Sequence, residues 1–111
     1  MKRRDSMGDA AWAQQTQDAL AQALAAVTDP GQMAAFLQDL CTPAELEALA
    51  DRWSVVPLLE DGVPYRAIHE QTGVSVTTVG RVARCLDHGP GGYRSALAAV
   101  RHTAGAAPST G

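Results

Sequence analysis

The chain has 111 residues, which suits one domain with a modest core, and its formal net charge is −3. Only five residues are aromatic, so the core must be built mainly from Ala, Leu and Val. No stretch is long and apolar enough to cross a membrane and no hydrophobic signal segment follows the basic start, so we expect a cytoplasmic protein.

The charge is unevenly distributed along the chain. Residues 1–63 hold four basic and ten acidic side chains, a net charge of −6, whereas residues 64–111 hold five arginines and two acids, a net charge of +3. A basic segment suits contact with phosphate groups, and the acidic segment would then face solvent. The overall negative charge therefore does not exclude a nucleic-acid partner.

Two helices are predicted after a short basic arm. We expect residues 1–8 to be flexible and residues 9–103 to form a single helical domain. Residues 9–27 are rich in Ala, Gln and Leu and form an apolar stripe that one helix cannot bury alone. Asp29 and Pro30 are typical of the cap and first turn of a short second helix.

A third helix is predicted over residues 43–61. Thr42 and Glu45 have the spacing of a capping box, in which each side chain bonds to a free amide of the first turn. Pro57 should bend this helix, because it removes one backbone hydrogen bond, and Gly62 should end it.

The next stretch, residues 64–87, has the pattern of a helix-turn-helix. Pro64 is typical of a first helical residue, Gly73 of a helix end that needs a left-handed conformation, and Ser75 of a cap on a second helix beginning at Val76. The spacing places five apolar residues on the inner faces of the two helices. These are Ile68, Val74, Val79, Val82 and Leu86.

The outer face of the second helix suits the major groove of DNA. It begins with β-branched and Ser/Thr residues and carries Arg81 one turn later. An arginine can form two hydrogen bonds to guanine, and a threonine methyl can contact thymine. The alternative is an ordinary helical hairpin with a solvated polar face.

Glycines and Pro90 stop the second helix after His88, and a last helix is predicted over residues 93–102. Residues 104–111 are small or polar and are expected to be disordered. The predicted fold class is therefore all-α, with about six helices.

Two segments within residues 36–93 carry a resemblance to a known family, namely CTPAELEALADRW and LLEDGVPYRAIHEQTGVSVTTVGRVARCLDHGPGGY. They resemble the tryptophan repressor superfamily, and most closely its YerC/YecD branch. The resemblance implies an intertwined homodimer that presents two reading helices to a double-stranded DNA operator, about 34 Å apart. It also implies a transcriptional regulator, most simply a repressor.

The candidate DNA-binding residues come from both the outer-face pattern and the resemblance. Arg66 matches a DNA-contacting arginine of the family, and residues 76–78 match the start of its reading helix. His69 either faces DNA, as the family's first helix does, or is an exposed polar residue without a contact. The full set is Arg66, His69, Ser75, Val76, Thr77, Thr78, Gly80, Arg81 and Arg84.

The resemblance also implies an effector pocket. In the tryptophan repressor, two arginines hold the indole, and they correspond to Arg52 and Arg81. Val82 replaces a glycine that leaves room for the indole, and Cys85 replaces a serine that contacts the ligand, so tryptophan is disfavoured. Three alternatives are left open for this pocket: that it binds no effector, that it binds another small molecule, or that it binds tryptophan. The candidate pocket is Thr42, Arg52, Arg81, Val82 and Cys85.

Other classes of function have weak sequence support. We predict no catalytic residue, no metal site and no cofactor, because Cys85 and His88 form a single Cys-x-x-His pair without a second one. Both cysteines are expected to be reduced core thiols. The remaining alternative is a protein-interaction module that uses the N-terminal helices.

Overall fold

The computed structural model describes the backbone of residues 6–106 and the side chains of residues 8–104. All regular structure within this range is helical, as predicted. The six helices are α1 (Ser6–Ala26), α2 (Pro30–Leu40), α3 (Pro43–Glu60), α4 (Tyr65–Thr72), α5 (Val76–His88) and α6 (Gly92–Ala106).

The described residues divide into two compact units, one ending at Pro43 and the other beginning at Ala44. The first unit contains α1 and α2, and the second contains α3 to α6. The predicted single domain over residues 9–103 stays a prediction. Most of the predicted basic arm and of the predicted tail lies outside the described residues.

Three predicted boundaries were wrong. Helix α1 begins at Ser6 rather than at residue 9, because Gly8 costs only about 1 kcal/mol relative to alanine and does not stop a helix. Helix α6 continues to Ala106, although its end was predicted at residue 102. Pro64 is the cap of α4 rather than its first helical residue, with an extended backbone (ψ 149°).

The predicted caps of α2 and α5 and the predicted glycine ends are confirmed, whereas the capping box of Thr42 and Glu45 stays a prediction. The Asp29 carboxylate accepts a hydrogen bond from the amide of Gln32 at 2.9 Å at the start of α2. After α3, Gly62 has a φ of 81°, and the amides of Gly62 and Val63 each donate to a carbonyl of the last turn at 3.0 Å. This is a Schellman end, which requires a left-handed residue and therefore favours glycine. Helix α3 continues through Pro57, and the bend predicted there stays a prediction.

The hydrophobic core lies in the second unit. All five residues predicted to face inward from the helix-turn-helix are buried, as are Val55, Val56 and Leu97. Val55 had not been predicted to lie in the core. The core therefore fixes α4, α5 and α6 against one another and turns the rest of α5 outward.

The first unit has no core of its own. Among its described side chains none is buried, and the large apolar residues Trp12, Leu20 and Leu40 are 46%, 39% and 47% exposed. Two helices with apolar faces in water lose the packing that stabilises most protein helices. The apolar faces of α1 and α2 are therefore largely exposed among the described residues.

Among the described residues, no helix combines the length with the apolar character that a membrane-spanning segment needs.

Candidate nucleic-acid interface

The outward face of α5 lines an open groove of about 500 Å³. Five residues predicted to bind DNA meet there, and Val76 among them is 48% exposed. Residues 79, 82 and 86 of the same helix are buried, so the helix presents one face to the core and the opposite face to solvent. The residues that line the groove are Tyr65, Val76, Thr77, Gly80, Arg81 and Arg84.

The first turn of α5 is held by its own hydroxyl groups. Ser75 accepts a hydrogen bond from the amide of Thr78 at 3.1 Å and donates its hydroxyl hydrogen to the Thr78 hydroxyl at 3.0 Å. Both hydrogen-bonding functions of Ser75 are thus used in capping the helix. Thr78 accepts one of these bonds and keeps its own hydroxyl hydrogen, which can donate to a phosphate oxygen.

The turn between α4 and α5 is closed by backbone and side-chain contacts. Gly73 has a φ of 79°, and its amide donates to the carbonyl of His69 at 2.8 Å, which closes α4 with a left-handed residue. Nδ1 of His69 lies 2.8 Å from the carbonyl oxygen of Val74. Neither role considered for His69 from the sequence included this hydrogen bond across the turn.

The arginines of the basic segment fall into two groups. Arg94 contacts Glu60 at 2.6 Å and Asp87 at 3.7 Å, and Arg101 contacts Asp61 at 3.1 Å. Arg66, Arg81 and Arg84, by contrast, form no ion pair with any residue that the structure describes, and all three are exposed. The uncompensated positive charge therefore lies on α4 and α5, beside the groove.

Tyr65 is a candidate interface residue that the sequence reasoning missed. Its ring is 42% exposed and lies over Gly80, with Cε2 3.7 Å from the position that a Cβ would take there. The available signal was its position, because Tyr65 is the neighbour of Arg66 at the start of α4. Its proximity to Gly80, however, depends on how α4 packs on α5.

A second, smaller pocket of about 230 Å³ collects four of the five predicted effector residues. Thr42 precedes α3 in the first unit, and its part in this pocket stays a prediction. Val82 is 1% exposed, so its side chain belongs mainly to the core. Thr78 and Tyr93 also line the pocket and had not been predicted for it. The lining residues are Arg52, Thr78, Arg81, Val82, Cys85 and Tyr93.

The two cysteines are free thiols, but the prediction that both are core residues was wrong for Cys85. Cys41 is half-buried, whereas Cys85 is exposed at the second pocket. The reason is its register, since Cys85 lies one residue off the buried stripe of Val82 and Leu86 on α5. Within the described residues, no three metal-binding side chains come together.

Comparison with known proteins shows what this chain is similar to. A model of the family described as Trp repressor protein matches residues 15–101. The chain is 37% identical over 86 residues to the uncharacterized protein YerC of Bacillus subtilis, an alignment that covers 78% of this chain and 83% of the relative.

Two solved structures share the fold. A TrpR-like protein from Eubacterium eligens matches with a TM-score of 0.71 at 32% identity, over 78% of this chain and 89% of that one. A Trp repressor candidate from Staphylococcus aureus matches with a TM-score of 0.72 at 29% identity, over 78% and 86% of the two chains. The resemblance predicted from residues 36–93 is thus confirmed and extends over most of the chain.

Proposed function

This chain belongs to the Trp repressor protein family, and we propose that it is a non-enzymatic, sequence-specific DNA-binding transcriptional regulator that acts as a homodimer. In this proposal α5 is the reading helix and enters the major groove of an operator. Repression is the simplest mode of action, because a bound dimer would block access to the DNA beneath it.

One observation carries the proposal, namely the composition of the exposed face of α5. Val76 and Thr77 supply methyl groups and a hydroxyl at the start of the helix, and Arg81 follows one turn later. Arginine reads guanine through two hydrogen bonds, and methyl groups contact thymine. Arg84 lies farther along this face of α5, and Arg66 lies on α4. Neither forms an ion pair with a described residue, and we assign both to phosphates.

The homodimer is supported by the first unit and by the size of one reading head. Helices α1 and α2 bury no described side chain, so their apolar faces need a partner, and a second copy supplies the same faces in self-complementary form. A single reading helix also contacts few base pairs. Two helices related by a two-fold axis would read a near-palindromic site, with half-sites about 34 Å apart.

Binding to the operator is proposed to be independent of tryptophan. Arg52 and Arg81 line one pocket, as binding of an indole ring and a carboxylate would need, but Val82 also lines it, at the position where the tryptophan repressor has a glycine. Another small molecule that does not need this space is a candidate for the same pocket.

The test is selection of duplexes from a random library, followed by titration of the best duplex and its scrambled form over a salt series. We expect a near-palindromic selected site, a preference over the scrambled duplex of about a thousandfold or more, and a steep loss of affinity with salt. Light scattering of the free protein should give the mass of a dimer. Absence of any preferred duplex would reject the proposal and favour a protein-interaction module built on α1 and α2.

A further inference from the structure

Two side chains of α4 reach across the turn and hold the backbone of Val74. Nδ1 of His69 lies 2.8 Å from the Val74 carbonyl oxygen. The Thr72 hydroxyl accepts a hydrogen bond from the Val74 amide at 3.0 Å and donates to the carbonyl of Ile68 at 2.7 Å. Both polar backbone groups of Val74, which is itself buried, are therefore tied to α4.

The bond to Val74 determines which nitrogen of His69 carries hydrogen. A carbonyl oxygen only accepts hydrogen bonds, so Nδ1 must be the donor. In the neutral ring, Nε2 is then an acceptor and cannot donate to a phosphate oxygen, which also only accepts. The geometry thus commits the Nδ1 hydrogen to the turn within the protein.

The position of Val74 controls where the reading helix begins. Val74 directly precedes Ser75, which caps α5, so any shift of Val74 relative to α4 is passed to the first turn of α5. Hydrogen bonds to base edges need donor and acceptor within about 2.7–3.2 Å, whereas attraction between an arginine and a phosphate weakens slowly with distance. A small shift would therefore damage base reading more than general DNA affinity.

We propose that His69 is a positioning residue for DNA reading, which fixes the start of α5 against α4 through the Val74 carbonyl. This role rests on the proposed function, since it concerns how the same surface distinguishes one sequence from another. It differs from the two roles that the sequence suggested, because the side chain acts through the turn.

Two substitutions separate this role from direct contact. His69→Ala removes the hydrogen-bond donor and introduces a residue that favours a helix. His69→Asn keeps a donor in the same place, because Nδ2 of asparagine and Nδ1 of histidine are each two bonds from Cβ. Affinity would be measured for the library-selected duplex and for its scrambled form, with melting temperatures to verify folding. The nitrogen chemical shifts of the His69 ring in the free wild-type protein would report which nitrogen carries hydrogen.

We expect His69→Ala to lower affinity for the selected duplex by about tenfold per protomer, the scale of one hydrogen bond, or about a hundredfold for the dimer, and to leave the scrambled duplex unchanged. His69→Asn should restore most of the loss, although asparagine is the poorer helix former. The ring of the wild-type protein should carry its hydrogen on Nδ1.

Other results would overturn the positioning role. Equal loss on both duplexes with a flatter salt dependence would mean that His69 contacts phosphate. Equal loss in the alanine and asparagine variants, or no loss in either, would mean that the bond to Val74 does not set base reading. If the wild-type protein selects no duplex, the proposed function fails together with this role, whereas failure of His69 alone leaves the wild-type preference intact.

Discussion

The salt dependence of DNA binding should report which arginines contact phosphates, and Arg84→Gln is the sharpest perturbation. Each phosphate contact contributes about 0.9 to the slope of log affinity against log salt. Arg84 lines the groove and forms no ion pair with the described residues. One contact per protomer in a dimer means that the variant should lower the slope by about 2. Between 50 and 200 mM salt the wild-type protein should then lose about tenfold more affinity than the variant.

The matched control is Arg101→Gln. It removes the same charge from the same basic segment, but Arg101 is already paired with Asp61 on the surface, at 3.1 Å. Such an exposed pair contributes at most about 1 kcal/mol to stability, so the control should fold. Its salt slope should parallel that of the wild-type protein, as measured by fluorescence anisotropy on the selected duplex. Parallel lines for wild type and Arg84→Gln would refute the phosphate assignment, and a flatter line for Arg101→Gln would refute the division of the arginines by their ion pairs.

Three further predictions concern base reading, the pocket and the turn. Thr77→Ala should reduce discrimination at one base pair of each half-site by about 1–3 kcal/mol, measured with single-base variants of the selected duplex; unchanged discrimination at every position would exclude Thr77 from base reading. Val82→Gly should open space for an indole but destabilise the fold by about 3 kcal/mol or more, because it removes a core side chain and places glycine in a helix. Calorimetry with tryptophan on both forms tests the steric argument, which fails if a folded variant gains no affinity. Gly73→Ala should cost about 1–2 kcal/mol in chemical unfolding, because alanine resists a φ of 79°, and Gly80→Ala, whose Cβ would have ordinary contact distances, should cost less.

The helical elements could be predicted from the sequence because their signals are local. A cap such as Asp29 or Ser75 bonds to an amide three residues later, and a left-handed end at Gly73 depends on its own backbone. The buried stripe of α5 follows from helical spacing alone. These features need no knowledge of the distant chain, and the structure bears them out.

Residues whose role depends on packing between helices could not be predicted in the same way. Tyr65 joins the groove only because α4 places its ring over Gly80 of α5. His69 had been judged by its outward position, whereas its hydrogen bond depends on how the turn brings the Val74 carbonyl back toward α4. Tyr93 likewise reaches the second pocket from α6. Sequence spacing reports the face on which a residue lies, and the crossing of two helices decides what that face meets.

Packing between helices also decides which arginines of the basic segment can contact phosphates, and the salt dependence of DNA binding measures their number. Counting along the chain assigns five arginines to the basic segment, and a dimer in which all of them contacted phosphates would have a salt slope of about −9. Arg94 and Arg101 are instead bound to carboxylates near the end of α3, so they stabilise the packing of α6 and carry little net charge to a ligand. Of the three arginines of α4 and α5, Arg66 and Arg84 are assigned to phosphates, and two copies of each predict a slope of about −4. A measured slope near the larger value would mean that these ion pairs open on binding DNA, and one near the smaller value that α6 stays docked while α5 reads.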